Sequence, residues 1–257
     1  MKRSSNERYH DRVSSRYDEM YETDPYHVLC RDIAFRHLKP HLPRDLATRV
    51  LDAGCGTGFF GLRLARSGYA GDFLDLSQGV IDQARRSFAE AKLGGEPRFF
   101  HTDLERPDET VPRASYGLIV CQGDILSFVE KPVRAAAAVT SLLAPGGVFS
   151  VSVDQRLAGI DHYLERGDIE GLARFCQTGD AEWLSKKQDE RFAMHMFTAD
   201  EIRGVLARAG LEVLSVLGKT VLPLRRHRQL LDDPETRRRL LAIEEKLSRL
   251  ESALGRA

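Results

Sequence analysis

Three glycines stand at alternate positions behind an apolar pair and an acid, in Val50-Leu51-Asp52-Ala53-Gly54-Cys55-Gly56-Thr57-Gly58. Glycine lets a backbone turn sharply and approach a ligand because no Cβ intervenes. If a helix begins just beyond the turn, its free N–H groups would meet an anionic or polar ligand. Gly56-Thr57-Gly58-Phe59-Phe60-Gly61 fits G-x-G-x-x-G, so one chemistry on offer is dinucleotide binding. Asp75 follows about twenty residues on, the offset at which such a site takes ribose hydroxyls. Cys55 reads as a small packing residue of the turn rather than a nucleophile. Cys30, Cys55, Cys121 and Cys176 are scattered without a C-x-x-C pair, which argues against a disulfide framework and a zinc site; no metal is expected.

A turn of this kind needs a buried strand before it and a helix after it, and the chain supplies both. Residues 49–53 read as a strand and 59–67 as a helix. The alternation continues with strands at 72–76, 97–101, 116–121 and 147–153 and helices at 79–91 and 131–143. That rhythm predicts an α/β fold: a doubly wound, mostly parallel sheet with helices on both faces. Residues 1–45 read as an N-terminal helical segment and lid, 46–153 as the ligand-binding core, and 154–197 as an insertion roofing the pocket. Residues 198–224 read as the end of the core sheet, with a strand at Leu211–Leu217; either Thr220–Leu224 supplies a further strand or the sheet ends one strand short. Thr198 and Glu201 form a capping-box signature. Residues 225–257 carry a last helix, with Asp233 as N-cap and Pro234 as its first residue.

Lys and Arg number 38 and so do Asp and Glu, and 42% of the 257 residues are hydrophobic. Disorder is excluded by that apolar content, and a strongly electrostatic nucleic-acid binder is disfavoured by the charge balance. No segment approaches the roughly 20 apolar residues that span a bilayer, and no apolar stretch follows the charged first residues. A cytoplasmic protein without a membrane partner is expected.

The whole string from Leu51 to Gly58 resembles motif I of the class I S-adenosylmethionine-dependent methyltransferases, which have a Rossmann-like fold. Three further segments agree in order. Asp75-Leu76-Ser77 stands where that family has an acid ending its second strand, and Thr102-Asp103-Leu104 where it has one after its third. Leu143-Ala144-Pro145-Gly146-Gly147 resembles its turn before strand five. The resemblance implies S-adenosylmethionine as cofactor and S-adenosylhomocysteine as product. It implies that Ala53, Gly54, Cys55, Gly56 and Gly58 shape the turn around the cofactor, with Asp52 orienting its amino group or the loop. Asp75, with Leu76 and Ser77, would take the ribose hydroxyls, and Asp103 with Leu104 the adenine. Cys121 and Gln122 would lie beside the sulfonium. Tyr17, in an aromatic N-terminal segment, would close over it. One departure is Gly71-Asp72, in place of small or β-branched residues entering strand two, which leaves that strand short and its register open.

The reaction so implied is in-line transfer of a methyl group to an oxygen, nitrogen or carbon nucleophile of a small molecule. A general base is needed only where the nucleophile carries a proton to lose. His162, Tyr163, His195 and Asp154 are the candidates, all in the insertion. Two other readings stand beside this one. The tail resembles that of bacterial methyltransferases acting on a carboxymethyl-type wobble uridine of tRNA, and residues 219–257 hold ten Lys and Arg against six Asp and Glu. A binding protein that keeps the cofactor without catalysis is the third reading. Leu240, Ile243, Leu247, Leu250 and Leu254 recur at heptad spacing, which predicts either a homodimer through the C-terminal helix or docking of that helix on the chain's own sheet edge.

Overall fold

The computed structural model describes residues 4–183 and 187–250; within the first helix the side chains of residues 15–20 and 22 are outside the description. Two helices lead, α1 (Ser5–Glu22) and α2 (Pro25–Leu38). Then come β1 (Val50–Ala53), α3 (Phe59–Arg66), β2 (Gly71–Asp75), α4 (Gln78–Glu90), β3 (Phe99–His101) and β4 (Tyr116–Cys121). A short α5 (Ile125–Phe128), α6 (Pro132–Leu142) and β5 (Leu143–Val151) complete the sheet region. The strands lie in the order β3-β2-β1-β4-β5, every neighbouring pair parallel.

Strands buried on both faces read as near-continuous apolar runs, and β4 does, as does β1 apart from Asp52. Val50, Leu118 and Val120 pack with Leu38 of α2 and Leu64 of α3 on one face. Leu51, Ala53, Ile119 and Cys121 pack on the other with Ala136 and Val139 of α6. The Gly71-Asp72 departure has a structural answer. Gly71 pairs with Val50, so β2 keeps full register. Asp72 is buried and accepts from Arg49 Nε at 2.9 Å, Arg98 Nη2 at 2.6 Å and the Tyr116 hydroxyl at 2.8 Å. Burial alone would raise its pKa; the Arg49 and Arg98 donors more than offset it, and the carboxyl sits below its ordinary value.

The insertion holds α7 (Ile160–Leu164), α8 (Ile169–Thr178) and an antiparallel hairpin of β6 (Asp180–Trp183) and β7 (Phe192–His195). Its root is tied to the following helix, α9 (Ala199–Arg208), by Arg156, which meets Glu201 at 2.5 and 2.6 Å. Thr198 and Glu201 form the capping box.

In the C-terminal region the expected strand at Leu211–Leu217 does not form, and the last helix does not dock on the sheet edge. Neither Leu211–Leu217 nor Thr220–Leu224 forms a strand, and among the described residues the sheet stops at β5. The alternating apolar pattern of Leu211–Leu217 turns Leu214 to solvent, 65% exposed, and the segment lines a cleft with β5 instead of bonding to it. The last helix, α10 (Pro234–Leu247), has Asp233 as N-cap and docks on α2, not on the sheet edge. Its buried positions are Leu241, Glu244 and Ser248. Glu244 accepts from Val221 N and Leu222 N, and Ser248 Oγ meets His37 Nε2 at 3.1 Å. The heptad stripe is therefore offset: Leu240 and Leu247 are half buried, Ile243 and Leu250 exposed, and Leu254 lies outside the described residues. Among the described residues no helix is long and apolar enough to cross a membrane.

Candidate active site

The glycine turn sits at the carboxyl end of β1, in the sheet centre. Gly54, Gly56 and Gly58 all have positive φ, at 70°, 52° and 94°. Gly54 N and Cys55 N both donate to the Leu74 carbonyl, at 2.7 and 3.0 Å, which folds the turn over β2. A Cβ on Gly58 would meet Phe73 and Ala84 at 3.2 and 3.3 Å, so this glycine serves close helix packing. Asp52 is buried beneath the turn and accepts from Gly61 N at 2.7 Å, satisfying a free donor in the first turn of α3. Burial pushes its carboxyl up to about 7. Asp52 thus holds the loop, and Ala53 and Gly58 are likewise packed behind it; none of the three reaches the cleft.

A cleft of about 1710 Å³ runs over the carboxyl ends of the strands and on along the edge of β5, beside Leu211–Leu217. Gly54, Cys55, Gly56, Asp75, Leu76, Ser77, Asp103, Leu104 and Gln122 line it. Asp75 accepts from Gly56 N and Ser77 N, both at 2.9 Å, which fixes its carboxylate at the end of β2. Leu76 accepts from His101 Nε2 at 2.9 Å, and Ser77 caps α4 through Val80 N. Asp103 accepts from Glu105 N at 2.9 Å and is otherwise exposed to the cleft. Gln122 Nε2 donates to Ser150 Oγ at 3.2 Å. Cys121 is fully buried in the core and does not reach the cleft, because the alternation of β4 turns it toward α6. Burial raises both Cys55 and Cys121 well above the ordinary thiol range.

α1 crosses the cleft mouth. Asp11 accepts from Ser77 Oγ at 2.5 Å and Gly79 N at 3.1 Å. His10 is close enough to Asp75 that each shifts the other; burial raises the Asp75 carboxyl and lowers the His10 imidazole. Arg12 pairs with Glu190 beside the β6–β7 hairpin at 2.6 Å. The side chain of Tyr17 lies outside the described residues.

Of the candidate bases, the structure places His162 and Tyr163 away from the cleft. The turn at Arg156–Gly159 carries α7 outward, where His162 meets Arg166 at 2.7 Å and Tyr163 stacks on Phe175 at 4.9 Å. His195 lines the cleft, but its Nδ1 is engaged by Asp180 Oδ1 at 2.8 Å. Asp154 also lines it. Sequence reasoning missed an aromatic wall. Trp183 stacks on Phe192 at 6.1 Å, and Tyr9 and Phe128 meet Trp183 edge-on at 5.8 and 6.0 Å; all four line the cleft. These rings come from three distant segments, so no local spacing links them.

Comparison with known proteins accords with this geometry. The family described as "Methyltransferase domain" matches residues 50–147. Within residues 50–147 the chain is thus similar to a methyltransferase domain. A ubiquinone biosynthesis O-methyltransferase of Dinoroseobacter shibae is 25% identical over 84% of this chain and 85% of its own length. An S-adenosyl-L-methionine-dependent Diels-Alderase of Talaromyces variabilis is 35% identical over 42% of this chain, which spans only 37% of that relative. In fold, the domain superposes on an S-adenosylmethionine-dependent methyltransferase of Mesorhizobium loti with TM-score 0.56, covering 81% of this chain and 92% of that one at 22% identity.

Proposed function

We propose that the protein binds S-adenosylmethionine in the cleft and transfers its methyl group to a hydroxyl of a small, ring-bearing molecule. The observation that carries this reading is the aromatic wall of Tyr9, Phe128, Trp183 and Phe192, which lines the same cleft as the glycine turn. The cradle fits the cofactor. Asp75 spends one lone pair of each oxygen on Gly56 N and Ser77 N, leaving acceptor capacity for two hydroxyls. Asp103 offers an acceptor for an amino group, and Leu104 an apolar surface for a flat base. The bound cofactor supplies an electrophilic methyl group on a cationic sulfur. The chain holds the acceptor close and in line and excludes water, and orientation of this kind removes several kcal/mol of barrier. Rings offer apolar area at low entropic cost, and their faces favour a neighbouring cation. The name of the Dinoroseobacter relative, an O-methyltransferase matched over most of both chains, supports an oxygen acceptor.

The tRNA reading finds less support. Arg226 pairs with Asp161 and Arg228 with Asp24 at 2.6 Å, so much of the tail's positive charge is spent within the chain. Labelled-methyl transfer from S-adenosylmethionine, run against phenols, aliphatic alcohols, carboxylic acids and bulk tRNA, tests the proposal. Label in a phenol or alcohol is expected. Label confined to tRNA, or cofactor binding without transfer to any acceptor, would refute it.

A further inference from the structure

Asp154 stands three residues beyond β5, at the carboxyl end of the sheet, with its main chain fixed on both sides. Its N–H donates to Ser127 Oγ at 2.9 Å, and its carbonyl accepts from Phe197 N at 2.8 Å. Its carboxylate has no hydrogen-bond or ion-pair partner among the described residues, and it lines the cleft. Ser127 adjoins Phe128, so the Asp154 main chain is tied to the segment that carries one ring of the aromatic wall.

A second carboxylate nearby is already spent. Asp124 follows β4 in left-handed backbone conformation, φ 65°, and its side chain meets Lys219 Nζ at 3.2 Å. The main chain of this turn is pinned as well, Gly123 N and Asp124 N both donating to Ser152 Oγ at 3.1 and 3.2 Å. An Asp tolerates left-handed geometry better than most residues but still at a cost, which the Lys219 and Ser152 bonds offset. The β4 turn and the segment after β5 are thus locked together, with one carboxylate paired and the other left open to the cleft.

Resting on the methyl-transfer reading, we propose that Asp154 is the general base that takes the acceptor's proton, positioned by the Asp124–Lys219 ion pair. The acceptor is then a hydroxyl, since a carboxylate or thioether acceptor has no proton to give up. As the oxygen–methyl bond forms, the O–H proton passes to the Asp154 carboxylate. The carbon–sulfur bond breaks with its electron pair left on sulfur, so charge and atoms balance.

The surroundings suit the role. Burial, followed by the Asp124 charge, pushes Asp154 up to about 7 against the pull of Lys219. Lys219 is itself held above its ordinary value by Asp124, although burial opposes this, and stays an ammonium. Cys30 of α2 faces Lys219, and burial holds its thiol at about 11; burial likewise holds the neighbouring Tyr26 hydroxyl at about 12. Both stay neutral where Asp154 titrates, so Asp124 and Lys219 are the charges that act on it. A carboxylate near 7 is matched to proton removal at neutral pH.

The test uses Asp154→Asn, Asp154→Glu and Lys219→Met, with the phenol or alcohol that the wild type methylates fastest. Wild-type kcat should rise with pH through about 7 and then level, because the base works ionised. Asp154→Asn should keep cofactor affinity, lose about 10²–10⁴-fold in kcat and lose that limb; Asp154→Glu should recover part of it. Lys219→Met removes the charge that favours the carboxylate, so its limb should move to higher pH. A readout without turnover accompanies these. Carbon NMR of the cofactor-free protein should show aspartate carboxyls titrating near neutrality, from Asp52 and Asp154, with one lost in Asp154→Asn. Unchanged kcat and pH limb in Asp154→Asn, with cofactor still bound, would overturn the base assignment alone. Failure of the wild type to bind S-adenosylmethionine would overturn the reading beneath it.

Discussion

At the scale of single residues, the acids divide by what each donor around them has claimed. Asp52 is claimed by Gly61 N, Asp72 by two arginines and a tyrosine, and Asp124 by a lysine. Among the described residues Asp154 is unclaimed, and that has a stability consequence. A carboxyl whose pKa rises from its ordinary value to about 7 on folding favours the folded state most when protonated. That contribution is complete below the unfolded value near 4 and is lost as pH rises to about 7. Asp154→Asn should therefore be more stable than wild type at pH 8, by about 1–2 kcal/mol, with the difference shrinking toward pH 4. Thermal unfolding at the two pH values reads this as an increase of about 2–4 °C per kcal/mol, and equal midpoints at pH 8 would contradict it. The glycine turn and Asp75 were legible from spacing, because a tight turn at a strand end dictates residue type locally. His162 and Tyr163 were chosen for nearness in sequence to β5, and the turn after Gln155 sends them outward from the cleft. Asp154 lies nearer to β5 but shows nothing in sequence that marks its isolation, which is a property of everything packed around it.

At the scale of elements, α1 is the piece that joins the two walls of the cleft. Polar contacts from two adjacent residues tie it to both walls: Asp11 at the start of α4, and Arg12 at Glu190 by the hairpin. Its helix is mostly polar, so these bonds rather than apolar burial dominate its docking. Asp11→Ala should remove about 1.5–3 kcal/mol of local stability, since its partners bond a charged group. Hydrogen exchange of α1 amides should then quicken about tenfold or more, while β1 and β4 amides keep their protection. Unchanged exchange in α1 would show that the helix is held by something else. The central strands were legible because burial on both faces leaves short apolar runs between glycine and proline breaks, whereas the partly exposed edge strands β3 and β5 were placed by their alternation with helices. The region after α9 was not. Leu211–Leu217 alternates like a strand, but a strand needs a partner in register, and β5 stands across the cleft from it. α10 shows the same limit: its leucine stripe predicts a seam, yet the buried side is chosen by Glu244 capping two backbone donors and Ser248 meeting α2.

At the scale of the whole molecule, a balanced charge of 38 against 38 is distributed as pairs rather than as one field. The basic tail is drawn onto Asp24 and Asp161, and the cleft keeps its acids, its rings and the Asp124–Lys219 pair at one end of the sheet. Cofactor cradle, aromatic wall and open carboxylate all meet over the carboxyl ends of parallel strands, where such sheets bind ligands. The central claim is that this cleft takes S-adenosylmethionine with Asp75 as the ribose acceptor. Titration calorimetry of S-adenosylmethionine into wild type and Asp75→Ala tests it most directly. The wild type should bind at a single site and Asp75→Ala about tenfold or more weakly, because charge-assisted hydrogen bonds of about 1.5–3 kcal/mol each are removed. Unchanged affinity in Asp75→Ala would contradict the ribose assignment, and binding of a nicotinamide dinucleotide in place of S-adenosylmethionine would contradict the claim itself.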